Sequence, residues 1–426
     1  MDYRLKADSR KLKTLNLMRN IFTIALLLMI FSWCPTVYSK GIRIAFIGDP
    51  QVDSWEELDY ARKSVYKELR LRKDLDLVLV LGDIVNENPH LMLPSKESLD
   101  SLMCPYFCVP GNHDDLLSYK KVFGYADTSF VFARRGVSLH VILMDNATGH
   151  KNGAFDESQM TWLASVLKSA PKVDRTLLIT HVPISHSKDK ASFGKILSEC
   201  TDLEKVLLIS GHTHTVSRSN IDLGGVNVEE IIGGAACGTW WRGEKEKAFE
   251  GVCGMRADSA MIPHALMSCG SRRGYFVGDF NSGGDYKLDY KLIGRKRRLR
   301  TSVFVEGDSL YVNVYGGHVD AMVEASWGRA SYLCRRSERP ALECRAIISL
   351  NSGLTRSERR EMGSDYIPML RRKSTHVWVC PSFAANIPGS PEKAPEARLK
   401  GKVRIRYYDD HMRFSQRIRP CVSTLK

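Results

Sequence analysis

The sequence predicts an α/β protein followed by a smaller all-β segment, and three observations predict it. Short apolar runs rich in Ile, Val and Leu recur through the first half, each ending in side chains that bind metals. A helical repeat lies between the first two runs, the strand–helix–strand order of a sheet buried on both faces. After about residue 296 the runs become short, strand-like and separated by turns. At 43% hydrophobic and 26% charged over 426 residues, the chain is globular, with length for two cores.

The N-terminus is read separately from the fold. Arg4, Lys6, Arg10, Lys11, Lys13 and Arg19 precede an apolar stretch over 21–33, broken only by Thr23 and Ser32. That stretch is short for a membrane span and suits the apolar region of a signal peptide. Val37 and Ser39 fit the −3 and −1 positions of a cleavage site before Lys40. The bulky Trp33 before Cys34 argues against lipidation. Residues 1–39 are therefore expected to be a signal peptide and the protein to be exported, periplasmic or secreted; an uncleaved membrane anchor is the alternative.

The runs 42–47, 77–81, 106–109, 177–179 and 206–209 read as buried strands. They lead into GDPQ (48–51), GD (82–83), GNHD (111–114), THVP (180–183) and GHTH (211–214). Between the first two, Ser54 with Glu57 forms a capping-box pattern, and Trp55, Leu58, Ala61, Val65 and Leu69 follow at helical spacing. A second helix is expected over 157–167, burying Trp162, Leu163, Val166 and Leu167. Ligand-type residues at the carboxyl ends of strands sit where open α/β sheets place their sites.

The chemistry follows from residue type. Carboxylates suit hard divalent cations and imidazoles suit Mn, Fe, Zn and similar ions. Asp83 is the natural bridging carboxylate. Asp49, Gln51 and His214 would complete one site, and Asn112, His181 and His212 the other. Two cations held ~3.5–4 Å apart can clamp phosphoryl oxygens and activate water at neutral pH. His113 is free to protonate a leaving oxygen, with Asp114 expected to orient its ring. Glycines at 48, 82, 111 and 211 allow sharp turns at the strand ends. No cluster centres on a Cys or Ser nucleophile, so no phosphoenzyme is expected. One GD or one His is weak evidence; five clusters in order, each after a strand, are strong.

This set resembles the calcineurin-like metallophosphoesterases over about residues 42–235. The resemblance implies two packed mixed sheets flanked by helices, an α/β/β/α sandwich. It matches Asp49, Asp83, Asn112, His181, His212 and His214 to the family's metal ligands and His113 to its catalytic histidine. Gln51 departs from the pattern, which has His there. A neutral amide oxygen is a weaker ligand for softer metals, so a labile first metal is expected, with Mn most favoured and Fe, Zn or Mg as alternatives. The resemblance also implies that 236–274 closes over the site, making Trp240, Trp241, His264 and Arg273 candidates for substrate contact; core packing of the tryptophans is the competing reading.

Beyond 295 the runs 302–305, 310–314, 322–326, 376–379, 403–408 and 413–418 suggest a small β-sandwich, with Asp409-Asp410 as a hairpin turn. The expected organisation is a catalytic domain over 40–294 and a C-terminal domain over 295–426, with a loop rich in Pro, Ala and Ser at 381–397. Residues 291–426 hold 27 Lys/Arg against 13 Asp/Glu, so the net charge of +14 belongs to this end. The run Arg295, Lys296, Arg297, Arg298 with Arg300 is either attracted to anionic lipid headgroups or a solvated linker. No recognition motif supports nucleic-acid binding. Of eleven cysteines, Cys253 with Cys269 and Cys334 with Cys344 are close enough in sequence to pair, while Cys104, Cys108 and Cys200 read as free thiols. No CxxC or zinc-finger spacing occurs.

The expectation is an exported, dinuclear metal-dependent phosphoesterase acting on a phosphoester of the cell envelope, such as a phospholipid or lipid-linked phosphate. A phosphoprotein serine/threonine phosphatase is the enzymatic alternative. A non-catalytic binding protein on the same scaffold is the alternative from another class.

Overall fold

Every ligand-bearing run becomes a strand. The computed structural model describes residues 41–149, 152–237, 266–294, 299–362, 369–383 and 401–422. Residues 1–40, where a signal peptide is expected, Cys253, the run 295–298, most of 381–397, and Trp240, Trp241 and His264 lie outside the described residues. Strands are numbered in chain order. β1 (Ile42–Ile47), β2 (Leu77–Val80) and β3 (Tyr106–Cys108) run parallel. The second sheet contains β4 (Thr128–Arg134), β5 (Val137–Leu143), β6 (Arg175–Ile179), β7 (Val206–Ser210), β8 (Val216–Asp222) and β9 (Asn227–Gly233). It is parallel through β5, β6, β7 and β9 and antiparallel at both edges. The chain then returns as β10 (Gly274–Phe280) and β11 (Tyr286–Leu292), antiparallel beside β1. The first sheet thus reads β11-β10-β1-β2-β3 and the second β4-β5-β6-β7-β9-β8.

Side-chain alternation explains how these sheets stack. Leu139, Val141, Leu177, Ile179, Leu207 and Ile209 face the first sheet and share its core. Their neighbours Ile142, Leu178 and Leu208 face the opposite way, onto Leu163, Leu167, Phe193 and Leu197 of the helices Glu157–Ser169 and Lys190–Cys200. The result is the expected α/β/β/α sandwich. The helix Glu157–Ser169 starts on a complete capping box between Asp156 and Gln159. The helical segment after β1 starts on Ser54, which accepts the Glu57 N–H, and is interrupted by a π-helical turn at Arg62–Tyr66. Leu58, Ala61, Val65 and Leu69 are buried as their spacing predicts, but Trp55 is 62% exposed. It lies in the first turn, before the segment meets the sheet.

The C-terminal part is all-β in its sheet, as expected, but forms one eight-stranded sheet. In spatial order its strands are Arg413–Ile418, Val403–Tyr408, Met322–Trp327, Ala330–Arg336, Val377–Cys380, Ser309–Val314, Thr301–Glu306 and Cys421–Val422. All pairings are antiparallel except that of the two-residue edge strand. One face packs Val303, Val305, Val312, Trp378, Ile405 and Tyr407. The other packs Phe304, Tyr311, Val377 and Val379 under the helix Leu342–Ser352. Cys334 bonds Cys380, directly across from it on the neighbouring strand, and Cys344 and Cys269 are buried free thiols. Proximity in sequence misled here because antiparallel pairing brings residues 46 positions apart into register.

A buried ion network fastens this sheet to the other two. Arg218 on β8 is fully buried and reaches Asp409 at 2.8 Å and Glu229 at 3.4 Å. Asp409 sits in the 408–413 hairpin turn and also accepts the Met412 N–H, while Glu229 accepts from the Tyr286 hydroxyl and meets His411 at 3.1 Å. Burial pushes the Glu229 carboxyl up, but His411, Arg218 and Tyr286 outweigh it and hold it at about 2. Removing one member of such a cluster strands the others, typically costing about 3–5 kcal/mol. Arg218→Ala should lose stability of that order in urea unfolding, and a loss below about 1 kcal/mol would contradict the network's role. Because the folded carboxyl lies below the unfolded value, the contribution of Glu229 is present above about pH 4.5 and fades as pH falls through about 2.

Candidate metal centre

The carboxyl ends of the two sheets' parallel strands meet at one place. The first sheet brings Asp49 and Gln51 after β1, Asp83 after β2 and Asn112 after β3. The second brings His181 after β6 and His212 and His214 after β7. The backbone stitches the motifs together: His212 N–H donates to Asp49 Oδ1 (2.9 Å), His113 N–H to Asp83 Oδ1 (3.0 Å) and Gln51 N–H to the Asp83 carbonyl (2.7 Å).

Four ligand-type atoms converge on one side. His181 Nε2 lies 3.0 Å from Asn112 Oδ1, 3.2 Å from His212 Nδ1 and 3.3 Å from Asp83 Oδ2, and His212 Nδ1 lies 2.8 Å from the same Asn112 oxygen. His181 Nδ1 donates to the Leu81 carbonyl at 2.7 Å, which turns Nε2 inward. Burial pulls the ring down, but Asp83 and Asp49 outweigh it and push it up to about 9, so a cation bound there would displace the Nε2 proton. On the other side His214 Nε2 lies 3.7 Å from Asp49 Oδ1. Asp49, Asp83 and His181 together form a group able to hold a cation. Gln51 is buried in the same pocket, with its amide nitrogen on Asn86 Oδ1 (3.2 Å) and its amide oxygen facing Cys237 Sγ (3.8 Å).

The donor set fits divalent metal ions. Asp49 and Asp83 are 0% and 1% exposed, and Asp49 Oδ2 is buried with no hydrogen-bond partner. Burial pushes the Asp49 carboxyl well above the usual carboxylate range, against the pull of His181. Burial acts likewise on Asp83, but His181 outweighs it and holds that carboxyl at about 2. Burial, with the His181 charge, takes His212 down to about 4, and burial foremost does the same to His214. Both rings are therefore neutral at pH 7, the state a metal ligand needs.

The backbone is strained at the same residues. Asp49, Gln51, Asp83, His212 and His214 have φ between 42° and 68°, a region non-glycine residues rarely occupy and one that concentrates at functional sites. Of the motif glycines only Gly82 (φ 89°) needs that freedom. Gly48 and Gly111 serve instead by having no side chain: a Cβ there would land on the Gly234 carbonyl or on Asp83.

The expected role of Asp114 needs correcting. Its carboxylate does not orient the His113 ring; it accepts the backbone N–H groups of Ile84 (3.1 Å), Val85 (3.0 Å) and Gly111 (2.9 Å). It is a buried clamp between the loops after β2 and β3. The ring of His113 instead meets Glu87, Nδ1 to Oε1, at 3.2 Å. Glu87 has φ 58° and was not foreseen, because nothing in its local sequence marks it. Arg273, a candidate for substrate contact, is 2% exposed and donates to the Ala236 carbonyl, so it supports the loop rather than facing solvent.

Comparison with known proteins agrees with this geometry. The family described as calcineurin-like phosphoesterase matches residues 42–216, and its C-terminal module, described as C terminal of calcineurin-like phosphoesterase, matches 230–387. The chain belongs to the calcineurin-like phosphoesterase family. A relative from Arcobacter nitrofigilis, named probable glycerophosphodiester phosphodiesterase GpdQ, is 26% identical over 40% of this chain and 71% of its own length. Another, glycerophosphodiester phosphodiesterase GpdQ of Enterobacter lignolyticus, is 28% identical over 27% of this chain and 44% of its own. A solved structure, GAP50 the anchor in the inner membrane complex of Plasmodium, matches 61% of this chain and 90% of its own at 14% identity. Its TM-score of 0.35 bears on neither fold nor function. The phosphoesterase is thus a metal-dependent hydrolase of phosphoester bonds.

Asp114→Ala should leave three buried N–H donors without an acceptor and cost at least about 2 kcal/mol in urea unfolding. A variant with unchanged stability but slowed turnover would return Asp114 to a role in orienting His113.

Proposed function

We propose that this phosphoesterase is an exported, dinuclear phosphodiesterase acting on a glycerol-based phosphodiester of the cell envelope. The observation that carries this reading is the convergence of Asp83, Asn112, His181 and His212 beside Asp49 and His214. The names of the two bacterial relatives support a diester, the basic C-terminal half supports an anionic headgroup, and the N-terminal sequence supports export. Mn is the favoured metal, given hard carboxylate and amide oxygens beside imidazoles.

In this reading Asp49, Gln51, Asp83 and His214 would hold one cation, and Asp83, Asn112, His181 and His212 would hold the other. Bound there, the cations supply Lewis acidity and an activated water. The chain's own part is to hold the phosphoryl group and move the proton. His113 stands at the mouth, 29% exposed, with Glu87 on Nδ1. That contact leaves Nε2 to donate a proton to the departing alcohol.

Residues 40–426 should hydrolyse a chromogenic phosphodiester with Mn faster than the matching monoester. Asp83→Ala should remove bound metal and activity together. His113→Ala should keep the metal but slow turnover roughly 10²–10⁴-fold, most for poor leaving groups. Equal rates for His113→Ala and wild type on an alkyl phosphodiester would remove His113 from the reaction.

A further inference from the structure

A side chain of the C-terminal module touches the loop that carries two of the candidate ligands. Arg372 lies in the segment leading into strand Val377–Cys380 and donates from Nη1 to the Thr213 carbonyl at 3.3 Å. Thr213 stands between His212 and His214, so the guanidinium rests on the loop that carries two of the candidate ligands.

The segment is pinned. Ser374 is buried and its N–H donates to the Arg339 carbonyl (3.3 Å). Thr375 Oγ1 donates to the Val216 carbonyl, two residues past His214, at 3.3 Å. His376 is fully buried between Asn313 (2.8 Å) and Ser271 (3.1 Å). Arg372 itself is exposed, and its neighbour Lys373 is engaged with Glu338 at 3.1 Å. Among the described residues Arg372 has no carboxylate partner. Among the described residues its remaining N–H groups meet no acceptor, and a planar guanidinium matches a phosphoryl group better than an ammonium does.

We propose that Arg372 is a substrate-binding residue, through which the C-terminal module grips the phosphoryl group docking at the metal centre. The inference rests on the phosphoesterase reading. It gives that module a direct place in the reaction, and Arg372 takes the substrate-contact role that Arg273, buried, cannot fill.

The test is calorimetric titration of inorganic phosphate into Mn-loaded wild type, Arg372→Ala, Arg372→Lys and Lys373→Ala, with metal content and phosphodiester kinetics measured alongside. Loss of a charge-assisted hydrogen bond predicts phosphate binding and KM weakened roughly 10- to 100-fold in Arg372→Ala. Metal content should be unchanged and kcat altered far less than KM. Arg372→Lys should recover part of the loss, and Lys373→Ala should match wild type. Phosphate affinity in Arg372→Ala within about twofold of wild type would overturn the proposal, as would loss of metal in step with the affinity. A wild type that binds phosphate but hydrolyses no ester would overturn the phosphoesterase reading, with the affinity ratio still deciding Arg372. One that binds no phosphate when loaded would overturn the assignment outright.

Discussion

Two carboxylates, Asp49 and Asp83, are buried at the ends of adjacent parallel strands, and the surrounding architecture is arranged around that fact. Taking a carboxylate out of water costs several kcal/mol unless opposite charge or hydrogen bonds compensate it. Backbone N–H groups from His212 and His113 compensate in part, yet Asp49 retains an oxygen with no partner. Imidazole nitrogens and an amide oxygen face the same space. Such a set is poorly matched within itself and well matched to cations. The left-handed conformations of five ligand-type residues point the same way, since strain of about 1–3 kcal/mol each persists only where the surroundings impose it.

What imposes it is the junction of two sheets. The donors on β6 and β7 meet those on β1, β2 and β3 only because the sheets share one core, with Leu177, Ile179, Leu207 and Ile209 facing the first sheet. The Leu81 carbonyl then orients His181 across the junction, and Asp114 holds the loops after β2 and β3 at fixed spacing. The C-terminal sheet is tied in through Arg218, Asp409 and Glu229, which fixes β8 and so steadies the GHTH loop immediately before it. Arg372 leans on that loop from the same module. Catalytic and accessory parts are therefore mechanically continuous around the site.

Much of this was legible in the sequence because strand-end ligands are a local signal: an apolar run followed by Gly and a donor. The helix expected over 157–167 was equally local, marked by its apolar spacing, and the structure extends it to Ser169. What the sequence hid depends on contacts between distant segments. Glu87 beside His113, the Cys334–Cys380 bond and Arg372 over Thr213 each join residues whose proximity only the folded sheets create. Asp114 was misassigned because adjacency to His113 suggested a side-chain contact, whereas three backbone donors compete more strongly for a buried carboxylate. The strand Ala330–Arg336 and the helices Leu342–Ser352 and Arg356–Met362 were not foreseen.

The central claim is that the two sheets jointly hold a pair of cations sharing Asp83. Electron paramagnetic resonance of the protein saturated with Mn tests it most directly, since two ions bridged by one carboxylate couple magnetically. The account predicts about two Mn per chain and the signal of a coupled pair. A signal from isolated Mn alone, at one equivalent or with two ions uncoupled, would contradict it.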